Sequence, residues 1–243
     1  MTPILIYGAH SDVGQALATQ YAQEGHDLYL ASRNTAELER LSQDLKLRHA
    51  ISATVLPFDA CDYDAQPKLY EGLNPRPEGV IICFGYLGDQ VKAQSHFEEA
   101  RQIIETNYLG AVRILELAAT EFSKQQHGWI VGISSVAGDR GRLSNYMYGS
   151  AKAGLSTYLS GLRNRLQKVN VPVLTVKPGF MATKMTAGLD LPQRLTTSPT
   201  TAAASIIKAQ RQKKDVIYIS PIWRLIMGII IAIPERIFKR LSL

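Results

Sequence analysis

Short apolar runs alternate with helical stretches along most of this chain, and that alternation limits the possible folds more than any other feature. An alternating order of strands and helices is typical of a parallel sheet covered by helices. We therefore predict an α/β fold, a doubly wound parallel sheet of about seven strands with helices on both faces. The predicted strands are residues 3–7, 26–31, 53–58, 79–85, 128–133, 171–177 and 216–219. The predicted helices are residues 15–22, 35–48, 98–119, 145–169 and 200–212.

A glycine turn joins the first predicted strand to the first predicted helix. Glycine permits close approach of the backbone to a ligand, and a helix N-terminus offers free N–H groups and positive potential. The turn therefore predicts a phosphate cradle. An acidic residue in such a cradle would repel a pyrophosphate unless its carboxylate caps the helix or accepts from backbone N–H groups. The cradle residues are Gly8, Ser11, Asp12, Val13 and Gly14.

The end of the second predicted strand carries a basic residue. A carboxylate at this position would bind a ribose 2′-hydroxyl and select NAD, but the segment reads Ser32-Arg33-Asn34. Arg33 could pair bidentately with a 2′-phosphate. We therefore expect NADP(H) rather than NAD(H) as the cofactor, although a solvated loop arginine explains the same residue.

Tyr148 and Lys152 are four residues apart in a predicted helix, so they share one face. A nearby ammonium favours a phenolate and should lower the pKa of Tyr148. Such a tyrosine can exchange a proton with an alcohol or a ketone. Ser135, thirteen residues before Tyr148, would add a hydroxyl beside the phenol. An ordinary packed helix pair explains the spacing as well.

Two longer segments make the chemical interpretation more specific. Gly132-Ile133-Ser134-Ser135-Val136-Ala137-Gly138 and Tyr148-Gly149-Ser150-Ala151-Lys152-Ala153-Gly154 resemble the short-chain dehydrogenase/reductase family in residues and spacing. The resemblance covers residues 3 to 220 approximately and implies a Rossmann-like fold. It also implies a catalytic set in which Tyr148 is the general acid, Lys152 lowers its pKa, Ser135 polarises a carbonyl and Asn107 anchors a water relay.

The resemblance implies further cofactor contacts. Asp59 with Ala60 would contact the adenine, Gly85 would lie beside its ribose, and Tyr148 with Lys152 would hold the nicotinamide ribose. The sequence departs from the family pattern at Tyr7 and Asp12, which replace a threonine and a glycine. The segment Pro178-Gly179-Phe180-Met181-Ala182-Thr183 matches a family motif that holds the nicotinamide carboxamide, so Pro178, Gly179, Met181 and Thr183 join the predicted cofactor site.

These residues predict an NADPH-dependent carbonyl reductase in a single dinucleotide-binding and catalytic domain, residues 1–220. Residues 139–145 and the tail are similar to reductases of decaprenylphosphoryl 2-keto-ribose, which suggests a lipid-linked ketone. Arg140 or Arg142 could then pair with a substrate phosphate, although a solvated arginine loop is an equal alternative. A non-catalytic NADP-binding sensor or scaffold, and an isomerase of nucleotide-linked sugars, are rival interpretations.

The tail, residues 221–243, is apolar and basic. Its uncharged run is about half of the roughly 20 residues that span a bilayer, so residues 223–243 could lie on a membrane surface or pack against protein. The net charge of +6 accompanies no RNA-binding aromatic motif or recognition-helix pattern, so we expect no nucleic-acid partner. Residues 184–199 should form a mobile lid over the substrate.

Cysteine usage and the start of the chain bear on location. Cys61 and Cys83 lack metal-ligand spacing, so we expect no metal site and interpret both as buried thiols of a reducing compartment. The chain enters a strand at once, without a secretory pattern. We expect a cytoplasmic protein, with a peripheral position on the inner face of the membrane as an alternative. Relatives of the resembled family suggest a homodimer or homotetramer.

Overall fold

A computed structural model of the chain describes residues 2–188 and 190–241. Residue 1, Leu189 in the predicted lid and residues 242–243 of the predicted tail lie outside the described residues. The strands are β1 Ile4–Tyr7, β2 Leu28–Ser32, β3 Ala53–Pro57, β4 Gly79–Ile82, β5 Trp129–Ile133, β6 Val173–Pro178, β7 Phe180–Met181, β8 Thr196–Thr197 and β9 Val216–Ile219. The α-helices are α1 Asp12–Gln23, α2 Thr35–His49, α3 Ala65–Glu71, α4 Gln90–Ser95, α5 Phe97–Ile104, α6 Gly110–Gln125, α7 Tyr146–Gln167, α8 Pro199–Arg211, α9 Ile222–Ala232 and α10 Glu235–Phe238.

Seven strands form one parallel sheet in the order β3-β2-β1-β4-β5-β6-β9, which confirms the predicted doubly wound fold. Strand β1 pairs with β2 on one side and β4 on the other, with Ile4 opposite both Leu28 and Gly79. The strand order therefore reverses beside β1. In open α/β sheets the crevice at such a reversal, outside the carboxyl ends of the strands, is where ligands bind.

The sheet is buried on both faces, which explains why its strands are continuous apolar runs. Along β1, Ile4 and Ile6 belong to the core that covers one face, together with residues of α1, α2 and α8. Leu5 and Tyr7 belong to the other core, with residues of α6 and α7. Side chains alternate across a strand, so a strand buried between two helix layers has no polar face.

The apolar stripe of α7 lies in this second core. Its four leucines, Leu155, Leu159, Leu162 and Leu166, are all buried there. These leucines pack against the core of the same chain and are not available to a second copy. A subunit contact through α7 would have to use its other side.

The predicted long helix over residues 98–119 is broken. It consists of α5, a π-helical turn at Glu105–Leu109 and α6. A π turn inserts an extra residue and rotates the side chains that follow, and such turns occur at functional sites. Helices α3 and α4 and the small β7–β8 pair were not predicted, because short elements leave little periodicity in a sequence.

The tail folds back onto the sheet edge. Trp223 and Met227 of α9 are buried in a small apolar cluster with Val136, and Trp223 meets Phe180 edge to face at a centroid distance of 5.0 Å. The opposite side of α9 is exposed, with Leu225 at 65% and Ile229 at 60%. Among residues 2–188 and 190–241, no helix has the length and apolar character needed to cross a bilayer.

Candidate active site

Two cavities of about 710 and 960 Å³ lie at the carboxyl edge of the sheet. They share wall residues, among them Ser11, Cys83 and Gly85, so they form one continuous cleft. The predicted cofactor residues Gly8, Arg33, Asp59 and Ala60 line the smaller cavity. The larger cavity is lined by Asp12, Val13, Ser135, Tyr148, Lys152, Pro178, Gly179, Met181 and Thr183. Two predicted site residues, Gly14 and Asn107, are buried and line neither cavity.

The two glycines of the turn have no room for a side chain. Gly8 has a φ of +82°, and an added Cβ would lie 2.5 Å from the backbone nitrogen of Phe84. An added Cβ at Gly14 would lie 2.5 Å from the carbonyl oxygen of Gly8. Ser11 caps α1 by accepting from the Gly14 N–H at 3.1 Å. The first-turn N–H groups of Asp12 and Val13 have no partner within the helix and lie at the cleft, so the turn fits a dinucleotide phosphate.

Asp12 does not cap its own helix. Its Oδ2 accepts a hydrogen bond from the backbone N–H of Lys184 at 2.7 Å. The carboxylate therefore links the cradle to the first residue of the predicted lid, residues 184–199. Of the two roles considered for this acid, bonding to a backbone N–H is the one observed.

The far end of the smaller cavity is polar. Arg33 is exposed immediately after β2, and Asp59 follows β3 with its carboxylate accepting from the Cys61 N–H at 2.8 Å. Ala60 is buried next to it. Arg33 and Asp59 line the same cavity, so the ends of neighbouring strands bring together the residues expected at the adenosine end of a cofactor.

Tyr148 is half-buried in the wall of the larger cavity. Burial raises the pKa of its phenol to about 12, and the side chain of Ser135 opposes that rise. The predicted lowering of the Tyr148 pKa by Lys152 is therefore wrong for this structure. The ammonium nitrogen lies 5.7 Å from the centre of the Tyr148 ring. Desolvation of the phenolate is the main cause of the raised pKa, and Ser135 rather than Lys152 opposes it.

Lys152 is only 3% exposed. Lysine side chains are rarely buried to this extent in proteins. Its Nζ donates to the carbonyl oxygen of Ile133, the last residue of β5, at 3.0 Å. Burial lowers the pKa of its ammonium to about 8, and the Cys83 thiol favours the charged form. Cys61 and Cys83 are both free thiols, and they are half-buried rather than fully buried as predicted.

Two consecutive serines, Ser134 and Ser135, begin the connection from β5 to α7. The Ser135 hydroxyl accepts from the Ala137 N–H at 3.0 Å and starts a short 3₁₀ turn. Ser134 is buried and donates to the carbonyl oxygen of Lys152 at 2.8 Å. Ser134 thereby fixes the helix that carries Tyr148 and Lys152 to the strand end that carries Ser135.

Asn107 lies in the π-helical turn and is buried. Its amide nitrogen donates to the carbonyl oxygens of Tyr86 at 2.6 Å and Ile103 at 2.8 Å, and its Oδ1 accepts from the Tyr86 N–H at 3.2 Å. The side chain holds the loop after β4 against the helix. These contacts are those of a buried amide whose hydrogen bonds are satisfied by the backbone.

Thr183 follows β7 and begins a 3₁₀ turn that contains Thr186. The Thr183 N–H donates to the Thr186 hydroxyl oxygen at 3.3 Å. Pro178 ends β6, Met181 lies in β7, and Gly179 packs against the Trp223 ring between them. The tail therefore supports the backbone of the segment predicted to hold the nicotinamide.

Arg140 is engaged by the tail and is not free for a substrate phosphate. Its Nη1 donates to the carbonyl oxygens of Ile230 and Ile233, both at 2.6 Å. Its Nη2 pairs with Glu235 at 2.9 Å, and its guanidinium lies 3.7 Å from the centre of the Phe238 ring. Of the two arginines considered for a phosphate, only Arg142 lines the larger cavity.

These geometric features agree with what the chain is similar to. A family model described as short-chain dehydrogenase matches residues 2–193. The chain belongs to the short-chain dehydrogenase family. An uncharacterized oxidoreductase of Mycobacterium tuberculosis is 34% identical over 242 residues, which are 98% of this chain and 96% of the relative. This short-chain dehydrogenase is therefore an NAD(P)-dependent oxidoreductase acting on CH–OH or C=O groups.

Solved structures share the fold of this short-chain dehydrogenase. One from Sphingobium yanoikuyae, in complex with NADPH, has a TM-score of 0.84 at 24% identity and covers 97% of each chain. A 3-oxoacyl-[acyl-carrier protein] reductase from Brucella melitensis with bound NAD has a TM-score of 0.79 at 19% identity and covers 89% of each chain. Both nicotinamide cofactors thus occur on this fold.

Sequence reasoning missed two residues that shape the site of this short-chain dehydrogenase. Ser134 precedes Ser135, and adjacent residues of an extended strand end point to opposite sides, so its inward position could have been inferred. The Asp139 side chain is only 4% exposed, pairs with Lys177 and accepts from the Tyr218 hydroxyl at 2.8 Å. Nothing in the sequence indicates that pairing, because Tyr218 lies in the last strand of the sheet.

Replacing Lys152 with methionine should stabilise this short-chain dehydrogenase at neutral pH. The wild-type protein carries the cost of a buried ammonium, roughly 3 kcal/mol for a pKa lowered from 10.5 to about 8. Because the unfolded state binds the proton more tightly, that cost is full below pH 8 and disappears as the pH rises towards 10.5. Urea unfolding of both proteins across this range should show a stability difference that shrinks with pH.

Lys168→Met, at an exposed position just after α7, is the control and should show no such dependence. A Lys152→Met difference that stays constant from neutral to alkaline pH would contradict the assignment of a destabilising buried charge.

Proposed function

We propose that this protein is an NADPH-dependent carbonyl reductase. The observation that carries the proposal is that the Tyr148 phenol, the Ser135 hydroxyl and the buried Lys152 ammonium line one cavity, which joins the glycine cradle. A non-catalytic sensor or scaffold would need the cradle but no proton donor. Family membership likewise favours an enzyme over that alternative.

The cofactor, when bound, supplies the hydride, and the residues of the chain manage the proton and the carbonyl oxygen. Ser135 donates a hydrogen bond to the substrate oxygen, and Tyr148 gives that oxygen its proton as the alcohol forms. The pKa of about 12 keeps Tyr148 protonated at neutral pH, which suits reduction. Lys152 holds the nicotinamide ribose, and Asn107 keeps the loop after β4 in place for a water relay that reprotonates Tyr148.

Replacing Tyr148 with phenylalanine should lower kcat by at least about 100-fold, because a positioned proton donor contributes that much or more. NADPH binding should be unchanged, since the ring remains. Steady-state reduction of a ketone panel and NADPH titration measure the two quantities. Tyr146→Phe removes the hydroxyl of a tyrosine two residues away and should leave kcat unaltered. A Tyr148→Phe protein with near-normal turnover would sink the assignment.

We further propose a preference for NADPH, with Arg33 as the ligand of the 2′-phosphate. Arg33 is exposed at the end of β2 and lines the smaller cavity, and no acid occupies the strand end itself, which reads Ala31-Ser32-Arg33. A guanidinium binds phosphate through parallel charge-assisted hydrogen bonds. The NADPH complex of the Sphingobium relative is compatible with this preference, and the NAD-bound Brucella structure shows that the fold alone does not impose it.

Replacing Arg33 with alanine should raise the Kd for NADPH about 10-fold, which is about 1.4 kcal/mol, and leave the Kd for NADH unchanged. Nicotinamide fluorescence titrations with both cofactors give the four constants. Arg40→Ala removes an equal charge from the exposed side of α2 and is the matched control. Equal losses for NADPH and NADH in the Arg33 variant would refute the 2′-phosphate role.

We further propose that residues 1–220 form the catalytic domain and that the tail, residues 221–243, contacts a lipid surface. The exposed side of α9 presents Leu225, Ile229 and Ile231, with Arg224 and Arg236 nearby in the chain. An apolar helix face with basic neighbours suits the interface of an anionic membrane. We propose a cytoplasmic enzyme that touches the inner face of the membrane and reduces a lipid-linked ketone, such as a keto-sugar of a prenyl phosphate.

The protein should sediment with vesicles that contain anionic lipid and less with purely zwitterionic ones. Ile229→Asp should weaken this binding by at least about 10-fold, because burying an isoleucine in the membrane contributes about 1.5–3 kcal/mol. Leu47→Asp, at an exposed leucine of α2, controls for the added charge. Vesicle binding that is absent, or equally weakened in both variants, would contradict a membrane role for α9.

We also propose that the protein forms a homodimer or a homotetramer. The outer side of α7 is open at Gly161, where an added Cβ would meet nothing within 4 Å. A second copy could therefore approach this side of α7 closely, while the leucine stripe stays in the core.

A further inference from the structure

Three polar atoms in the wall of the larger cavity are buried and make no hydrogen bond within the described part of the chain. They are Nε of Arg142, Nε2 of Gln90 and Oδ1 of Asn145. Buried polar groups nearly always have partners, because leaving one unpaired costs free energy. Because these three residues line one cavity, a ligand that settles there can supply the partners that the chain itself does not.

The segment that carries Arg142 and Asn145 is held in place from both ends. Before it, Asp139 pairs with Lys177 and Tyr218, and Arg140 bonds to the tail. After it, the carbonyl oxygen of Asn145 accepts from the Gly149 N–H at 2.8 Å in the first turn of α7. The unpaired atoms therefore belong to an anchored segment and not to a loose loop.

Gln90 comes from a different element, the start of α4. Its Oε1 accepts from the Met147 N–H at 2.9 Å, which ties α4 to α7 and leaves the amide nitrogen as the free end. The three unpaired atoms are thus two donors, on Arg142 and Gln90, and one acceptor, on Asn145.

The charge of Arg142 is incompletely balanced. Burial lowers the pKa of its guanidinium and Asp139 favours the charged form, but arginine keeps its proton in proteins. Both Asp139 carboxylate oxygens already accept from Lys177 and Tyr218. A desolvated cation next to a carboxylate that is already paired favours an additional anion.

Apolar side chains form another part of the cavity wall. Leu87, Val91, Phe180, Met181 and Ile230 line it, with Ile230 contributed by the tail. A substrate that fills the cavity would therefore carry hydrocarbon as well as an acidic group.

We propose that Arg142, Gln90 and Asn145 form a recognition site for an anionic group, a carboxylate or a phosphate, on an amphiphilic ketone substrate. The inference rests on the proposed reductase function and adds its specificity. Arg142 and Gln90 donate to the anion, and Asn145 accepts from a hydroxyl carried by the acid or by the substrate. The apolar wall holds the chain that links the acid to the ketone at Tyr148.

The test compares matched substrates that differ only in charge. Medium-chain methyl ketones ending in a carboxylate, in its methyl ester or in a phosphate monoester are reduced by the wild-type protein and by Arg142→Gln. We expect kcat/KM at least about 10-fold higher for one of the acids than for the ester. Arg142→Gln should abolish that advantage through KM and leave the ester unaffected, and Arg142→Lys should restore part of it. Arg40→Gln, an exposed arginine of α2, should change nothing.

The two acids distinguish carboxylate from phosphate recognition. Equal kcat/KM for acids and ester in the wild-type protein, or equal loss for all in Arg142→Gln, would overturn the inference while leaving a carbonyl reductase. If no ketone is reduced, the reductase proposal fails, and calorimetry decides the inference separately. Acids that bind the NADPH-saturated protein at least about 10-fold more tightly than the ester, and only with Arg142 present, would sustain it, and equal affinities would refute it.

Discussion

The active-site cleft depends on a lysine that the fold keeps away from water. Lys152 is held by one hydrogen bond to the end of β5, and its neighbour Ser134 bonds back to the Lys152 carbonyl. Removing an ammonium from water costs several kcal/mol, so the packing around α7 must offset that cost. A group kept at the expense of stability is typical of a functional site. The same junction places Tyr148 one turn from Lys152 and Ser135 opposite both.

The tail belongs to this arrangement as much as the sheet does. Trp223 supports the backbone at Gly179, and Arg140 binds the carbonyl end of α9. Ile230 then forms part of the cavity wall. Helix α9 therefore helps to form the larger cavity on one side, while its opposite side exposes Leu225 and Ile229. One element can thus contribute to substrate fit on one face and to surface contact on the other.

Local patterns made the sheet, the glycine cradle and the Tyr148–Lys152 pair predictable, because strand runs, turn glycines and a four-residue spacing are each written in neighbouring residues. The pKa of Tyr148 was not predictable, since burial raises it and burial is a property of the whole fold. The partner of Arg140 lies about ninety residues away, which no spacing rule reveals. The π-helical turn at Asn107 was missed because it retains the apolar pattern of a continuous helix.

The proposed reductase must bind NADPH in the cleft at the carboxyl edge of the sheet, beside a buried lysine and a protonated tyrosine. Titration of the full-length protein with NADPH, followed by nicotinamide fluorescence, tests it most directly. We expect saturable binding of one NADPH per chain, tighter than that of NADH. Binding of neither cofactor would mean that the Asp12 carboxylate prevents the cradle from accepting a pyrophosphate, and it would contradict the proposed reductase.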